Sequence, residues 1–243
     1  MINQAMVLCA GMGSRMGELT KDIPKPMVVV DGMSLIERHM HYLIKNNIKK
    51  LVINTFYKAE VLQKFITSLD IYNKFDQILF SRENELLGTA GGVKNALRLL
   101  EDKPFFVINN DSIFIDKENA FTQLESDWDS NIMPMRILIT KKENSFGYWL
   151  KGDFDMDDKG RLNQNNDTRE YINPGMYIMD YKLFDKYKEI KLDFYHNMFK
   201  DLMKENNLSL GVRVSQQPLQ YDGKILSVPI YMVSEISRLV HTL

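Results

Sequence analysis

Between residues 8 and 25 the chain reads LCAGMGSRMGELTKDIPK, in which Gly11, Gly13, Arg15, and Lys25 held between Pro24 and Pro26 are the residues whose types and spacing could do chemistry. Glycines that follow a strand let backbone N–H groups approach phosphate oxygens with no Cβ in the way. Arg15 can grip a phosphate at two points, and Lys25 supplies a movable point charge. Farther on, the apolar run FFVIN ends in Asn110-Asp111, a pattern that delivers one carboxylate to the edge of a sheet. Together the two cations, Arg15 and Lys25, supply the positive charge that a polyphosphate needs.

Several readings of the glycines compete. A Walker A loop requires Gly-x4-Gly-Lys-Ser/Thr, which does not occur in this chain. A dinucleotide fingerprint finds Gly11-x-Gly13 after a strand and Asp31 twenty residues past Gly11. Its third glycine falls out of register at Gly17, and Pro24 and Pro26 interrupt the crossover helix that it needs. A ligand-free turn is the plainest alternative, as are a turn or helix cap for Asp111 and a solvated loop position for Lys25.

These residues need elements to hold them. Gln4–Ala10, Leu51–Phe56, Gln77–Phe80 and Phe105–Asn109 read as buried strands. Ser34–Asn47 places Leu35, Ile36, Met40, Leu43 and Ile44 at helical spacing with Ser34 as cap, and 58–69 and 89–100 repeat the pattern. Strands and helices in turn imply a parallel sheet covered on both faces. The second half reads differently: strands at 135–140 and 148–154, a turn at 157–160, and a strand over 170–180 broken by Pro174-Gly175. Helices are expected at 194–206 and 231–243, and late strands at 211–215 and 223–228. No composition break divides two domains.

Composition narrows the class. With 243 residues, 44% hydrophobic and 26% charged, the chain is long enough for a substantial core. A net charge of −1 gives no electrostatic reason for a nucleic-acid or anionic membrane partner. No apolar run reaches membrane-spanning length, and the lone Cys9 excludes an internal disulfide; both suggest a cytoplasmic protein. Cys9 reads as a packing residue, and the four histidines show no metal-ligand spacing.

LCAGMGSRMGELTKDIPKPM, then ELLGTAGG at 85–92 and VINND at 107–111, resemble in order the signature of the sugar-1-phosphate nucleotidyltransferases. The resemblance implies an α/β nucleotide-diphospho-sugar transferase fold, a Rossmann-like, mostly parallel mixed sheet with helices on both faces. It implies one domain over 1–243, with a nucleotide-binding part to about 112 and a sugar-binding part from about 113. By the same resemblance Arg15, Lys25 and Asp111 are catalytic, and Asp111 binds Mg²⁺. Ala10, Gly11, Gly13, Ser14, Glu85, Gly88 and Thr89 bind the nucleotide; Thr89 could equally be a helix cap. Asn110, Asp153, Asn173 and Gly175 bind the sugar, with Glu170 a weaker candidate.

The partners implied are a nucleoside triphosphate and a sugar 1-phosphate. Gly152-Asp153-Phe154 and Gly160-Arg161 resemble the middle region of the family's uridylyltransferases, and that resemblance implies UTP, N-acetylmuramate 1-phosphate and hence peptidoglycan recycling. GTP with mannose 1-phosphate is the enzymatic alternative. One departure stands out: the family's second metal-binding aspartate aligns with Ser227, which leaves open a nucleotide-binding regulatory protein with impaired catalysis.

Overall fold

A computed structural model describes residues 2–115, 119–145, 152–156, 162–163, 169–192, 211–215, 220–221 and 225–229. The chain forms two compact units, Met1–Ile115 with Met179–Phe199, and Asp116–Ile178 with Lys200–Leu243.

The first unit contains β1 (Gln4–Leu8), the short hairpin β2 (Val29–Val30) and β3 (Met33–Ser34), then β4 (Lys50–Thr55), β5 (Gln77–Arg82) and β6 (Phe105–Asn109). Its helices are α1 (Leu35–Lys45), α2 (Ala59–Ser68) and α3 (Gly88–Ala96). Strands β5, β4, β1 and β6 lie side by side in that order, every neighbouring pair parallel. The chain winds from β1 outward to β4 and β5, then returns to the other side of β1 as β6. That reversal puts the topological switch point between β1 and β6, where an open sheet binds ligands at its carboxyl edge.

The strands sit where the apolar runs place them, and Met6, Val7, Val52, Ile53, Val107 and Ile108 are fully buried. Gln4, also buried, is fully engaged: its amide donates to the Glu101, Lys103 and Pro104 carbonyls and accepts from the Glu101 N–H. It ties the start of β1 to the approach to β6. Ser34 caps α1 as its sequence predicts, with Oγ accepting from the Glu37 N–H at 3.2 Å, and Leu35, Ile36, Met40 and Leu43 face the core. The predicted helix over 89–100 begins one residue earlier, at Gly88, and tightens into a 3₁₀ turn at Leu97–Leu99.

The second unit carries α4 (Ala120–Glu125), β7 (Met135–Ile137), β8 (Thr140–Lys141), β9 (Asp155–Met156), β10 (Leu162–Asn163) and β11 (Tyr171–Ile172). It continues with β12 (Met176–Met179), β13 (Gly211–Ser215), β14 (Gln220–Tyr221) and β15 (Ile225–Pro229). The strand expected over 135–140 is two strands. β7 neighbours β12, whereas β8 pairs antiparallel with β11, so the chain changes partner at Leu138–Ile139. The expected break at Pro174-Gly175 is present, with Gly175 at φ 85° between β11 and β12. β15 runs parallel to β13 and antiparallel to β14, near the late strands the sequence predicts. The expected turn at 157–160, most of the strand at 148–154 and the helices at 194–206 and 231–243 lie outside the described residues.

Buried Arg136 on β7 organises the second unit's first helix. Its guanidinium donates to the Leu124 carbonyl at 3.1 Å and the Ser126 carbonyl at 2.7 Å, satisfying the C-terminal end of α4. Burial lowers its pKa to about 10, so it stays charged at neutral pH.

Candidate active site

At the carboxyl edge of β1 the chain leaves the sheet as Cys9-Ala10-Gly11-Met12-Gly13. Ala10 is buried, whereas Gly11, Met12 and Ser14 are exposed. Gly13 adopts φ 69°, and a Cβ there would come within 2.9 Å of Thr20 and 3.1 Å of the Lys25 side chain. A Cβ on Gly11 would meet nothing within 4 Å. One glycine thus shapes the loop and the other leaves space beside it. The Thr20 hydroxyl donates to the Gly13 carbonyl at 2.9 Å and closes the turn.

After the loop comes a 3₁₀ segment, Ser14–Thr20, interrupted at Gly17 (φ 54°), and a second turn at Lys25–Met27. No crossover α-helix follows the glycines, and Asp31 sits on the β2–β3 turn. The dinucleotide arrangement is thereby excluded. Arg15 lies in the 3₁₀ segment; its side chain is outside what the structure describes.

Lys25 and Asp111, 86 residues apart, meet at this edge: Lys25 Nζ donates to Asp111 Oδ2 at 2.6 Å. Pro26, buried at the start of its turn, anchors the lysine backbone. The lysine side chain is 18% exposed and the aspartate 43%, so the pair lies half-covered at the surface. Lys25 is therefore not the solvated loop lysine that its sequence also allowed. Beside it, buried Asn110 turns inward, its amide donating to the Leu8 carbonyl at 3.3 Å and bridging the ends of β1 and β6.

Buried His39 on α1 packs against this corner. Its ring stands edge-on to Phe114, which stacks on Tyr42. Desolvation lowers its pKa to about 4, partly opposed by a hydrogen bond to the Asn110 backbone and by the charge of Asp111. At neutral pH the imidazole is uncharged. Cys9 is buried as expected, and desolvation raises its thiol pKa, so it is not a thiolate nucleophile.

The loop before α3 forms another wall of the first unit. Gly88 adopts φ 78°, and α3 starts there with Leu87 at the cap position. Thr89 is accordingly inside the first turn and is not the cap. The Leu87 N–H instead donates to Glu83 Oε2 at 3.2 Å. Exposed Glu85 pairs with Lys191 at 2.5 Å. The segment around Lys191 is stitched to α3: Gly91 N–H donates to the Leu192 carbonyl at 2.9 Å and Leu192 N–H to the Leu87 carbonyl at 3.0 Å.

In the second unit, three sugar-site candidates come together. Asp153 Oδ2 accepts from the Asn173 N–H at 2.9 Å, and Asn173 Oδ1 accepts from the Gly175 N–H at 2.8 Å. The Asn173 amide also donates to the Tyr177 hydroxyl at 2.6 Å. Glu170 is engaged differently, in a 2.9 Å ion pair with Lys141 that raises the lysine pKa. Ser227 occupies the middle of β15, opposite Arg213 and Gln220.

Among the described residues no three His, Cys, Asp or Glu side chains gather into a metal cluster. Mg²⁺ needs less: one or two carboxylates, water and substrate phosphate oxygens. The half-exposed Asp111 carboxylate beside an open glycine loop fits that donor set. No helix of the described residues is long and apolar enough to cross a membrane.

A glycine loop, a paired lysine and aspartate, and a switch point between β1 and β6 define an open-sheet α/β protein with a candidate site at the carboxyl edge of its strands. Residues 4–215 match the nucleotidyl transferase family model, and the chain belongs to that family. It is 34% identical over 151 residues to N-acetylmuramate alpha-1-phosphate uridylyltransferase of Caulobacter vibrioides, covering 61% of this chain and 62% of that one. It is 35% identical over 111 residues to D-glycero-alpha-D-manno-heptose 1-phosphate guanylyltransferase of Campylobacter jejuni, covering 46% of this chain and 48% of the relative. The matches thus span about half to three fifths of these relatives' lengths. Among solved structures, HddC from Yersinia pseudotuberculosis complexed with GMP-PN superposes with a TM-score of 0.68 at 24% identity, over 97% of this chain and 100% of that one. UDP-glucose pyrophosphorylase complexed with UDP-glucose gives 0.61 at 18% identity, over 100% of this chain and 99% of that one. The mixed, mostly parallel sheet expected from the sequence is the fold these structures share.

Sequence reasoning missed Asn54, Glu83, His39 and Arg136. The one signal available was a polar residue inside a strand or helix face that otherwise reads apolar, as in LVINTF.

Proposed function

We propose that the chain is a cytoplasmic sugar-1-phosphate nucleotidyltransferase of a single functional domain, joining UTP to N-acetylmuramate 1-phosphate with release of pyrophosphate. The observation that carries this reading is the Lys25–Asp111 pair at the β1–β6 edge, directly beside the glycine loop. The identity to the Caulobacter uridylyltransferase favours the uridylyl donor and the amino-sugar acceptor.

In this mechanism an oxygen of the sugar phosphate attacks the α-phosphorus in line with the leaving pyrophosphate. The new P–O bond forms as the bond from the α-phosphorus to the bridging oxygen breaks. The backbone of Ala10–Ser14 and Arg15 hold the triphosphate, while the loop Glu85–Thr89 receives the base. Lys25, neutralised by Asp111 before substrate arrives, turns its charge to the two approaching phosphates. Mg²⁺ bound by Asp111 and phosphate oxygens would add further charge neutralisation at the triphosphate. The protein contributes alignment and electrostatics and forms no covalent bond. Asp153, Asn173 and Gly175 orient the acceptor sugar, with Asn110 supporting the edge on which it reacts.

A guanylyltransferase acting on mannose 1-phosphate is the second reading, favoured by the guanylyltransferases among the relatives. Ser227 favours a third, a nucleotide-binding regulator with impaired turnover. Purified protein incubated with each of the four nucleoside triphosphates, Mg²⁺ and a panel of sugar 1-phosphates separates them through pyrophosphate release. Release with UTP and N-acetylmuramate 1-phosphate alone is expected. Release only with GTP and mannose 1-phosphate selects the second reading. Silence throughout, with nucleotide binding intact, selects the third, and Ser227→Asp would then raise Mg²⁺-dependent turnover.

A further inference from the structure

Two buried polar side chains outside the expected site connect its two nucleotide-facing loops. Asn54, in the penultimate position of β4, is 3% exposed, and Glu83, just past β5, is 4% exposed. Asn54 Oδ1 accepts from the Cys9 N–H at 2.6 Å, where the glycine loop leaves β1. Asn54 Nδ2 donates to Glu83 Oε1 at 2.7 Å. Glu83 Oε2 in turn accepts from the Leu87 N–H at 3.2 Å, one residue before α3. The chain Cys9–Asn54–Glu83–Leu87 therefore runs from the root of one loop to the root of the other. Gly92 of α3 lies directly on it: a Cβ there would come within 2.7 Å of Asn54 Nδ2 and 2.8 Å of Glu83 Oε1.

An acidic side chain so deeply covered is costly to retain for packing alone, and burial raises its pKa. Its two oxygens meet two N–H donors, and the neighbouring amide supplies both an acceptor and a donor. Both arms of the chain donate towards the carboxylate, so position 83 must accept at both ends while position 54 must accept at one end and donate at the other.

We propose that Asn54 and Glu83 are positioning residues that hold the triphosphate loop and the base-reading loop at a fixed separation, so that one nucleoside triphosphate can engage both. The role rests on the nucleotidyltransferase reading above. Neither side chain touches substrate; both act through the backbone of Cys9 and Leu87.

The polarity provides the test. In Glu83→Gln a donor must face a donor, either at Asn54 or at the Leu87 N–H. In the double variant Asn54→Asp with Glu83→Gln the roles are exchanged. The carboxylate introduced at position 54 accepts from Cys9 and from the glutamine amide, and the glutamine oxygen accepts from Leu87. Shape and net charge are preserved, and all bonds are restored. Wild type, Glu83→Gln and the double variant are compared by calorimetric binding of UTP and GTP with Mg²⁺, by amide exchange at Cys9 and Leu87, and by thermal melting.

Glu83→Gln is expected to weaken triphosphate binding about tenfold and to speed exchange at both amides, and the double variant to recover both. If Glu83→Gln does not fold, a folded double variant with wild-type affinity carries the same support. Unchanged affinity in Glu83→Gln, or a double variant that stays at the single-variant level, overturns the proposal. Should wild type bind neither triphosphate, the nucleotidyltransferase reading and the positioning role fall together. Exchange at the two amides would then report whether the hydrogen-bonded chain itself exists.

Discussion

Lys25 Nζ lies 2.6 Å from Asp111 Oδ2, linking the turn between two prolines to the end of β6. The pair joins the proline-flanked turn to the carboxyl end of β6, two segments far apart in the chain. It also keeps the edge near neutral while no phosphate is bound. On the proposed mechanism, arriving phosphates compete with the carboxylate for the ammonium, and the freed carboxylate becomes available to a cation.

Replacing Asp111 with Asn removes that carboxylate without changing shape. On the proposed mechanism, turnover in the pyrophosphate-release assay falls by about 10² or more, the scale of losing one electrostatic contact to a transition state. A half-exposed ion pair contributes at most about 1 kcal/mol to stability, so the urea midpoint should move little. Full activity in this variant would remove Asp111 from the reaction.

The two loop glycines differ in what surrounds them. Gly13→Ala forces a Cβ into a left-handed position and against Thr20 and Lys25, and should cost about 1–2 kcal/mol by urea unfolding. Gly11→Ala meets no neighbour, so its stability should change by less than about 0.5 kcal/mol. Its triphosphate affinity should fall nonetheless, because the methyl group occupies the open space beside the loop.

His39 makes stability depend on pH. Its folded pKa, about 4, lies below the ordinary 6.5, so the unfolded chain binds more protons between those values and stability rises with pH across them. Acidification from 6.5 to 4 should therefore remove up to roughly 3 kcal/mol, with no further loss from this group below 4. Urea midpoints measured across that range should show the slope in wild type and a shallower one in His39→Gln.

Arg136→Met tests the second unit. It keeps an apolar stem but leaves the Leu124 and Ser126 carbonyls without their donor. A loss of about 2–3 kcal/mol is expected from chemical unfolding, with Arg136→Lys recovering part of it.

Much of the first unit is legible in the chain because its signals are local. Phe105–Asn109 is a strand to the residue, and Ser34 caps α1 through its own neighbour Glu37. The proline-flanked lysine and the glycine at a positive φ are likewise properties of a few consecutive residues. Elements whose limits are set by partners were less legible. Leu138 and Ile139 look like continuous strand, yet β7 and β8 pair with different strands, which hydropathy cannot register. Thr89 has the chemistry of a cap, but α3 begins at Gly88 and the Glu83 carboxylate takes the Leu87 N–H.

The sequence by itself determined the order of strands and helices, the glycine loop, and the residue types available for phosphate chemistry, since periodicity and backbone freedom are encoded within short windows. Only the tertiary structure decided that Lys25 meets Asp111, that His39 is buried neutral behind Asn110, and that Asn54 and Glu83 join two loops. Those relationships arise when β4 and β6 pack on opposite sides of β1 and bring together residues dozens of positions apart. Burial then sets their charge and leaves each buried donor to find its acceptor in another segment of the chain.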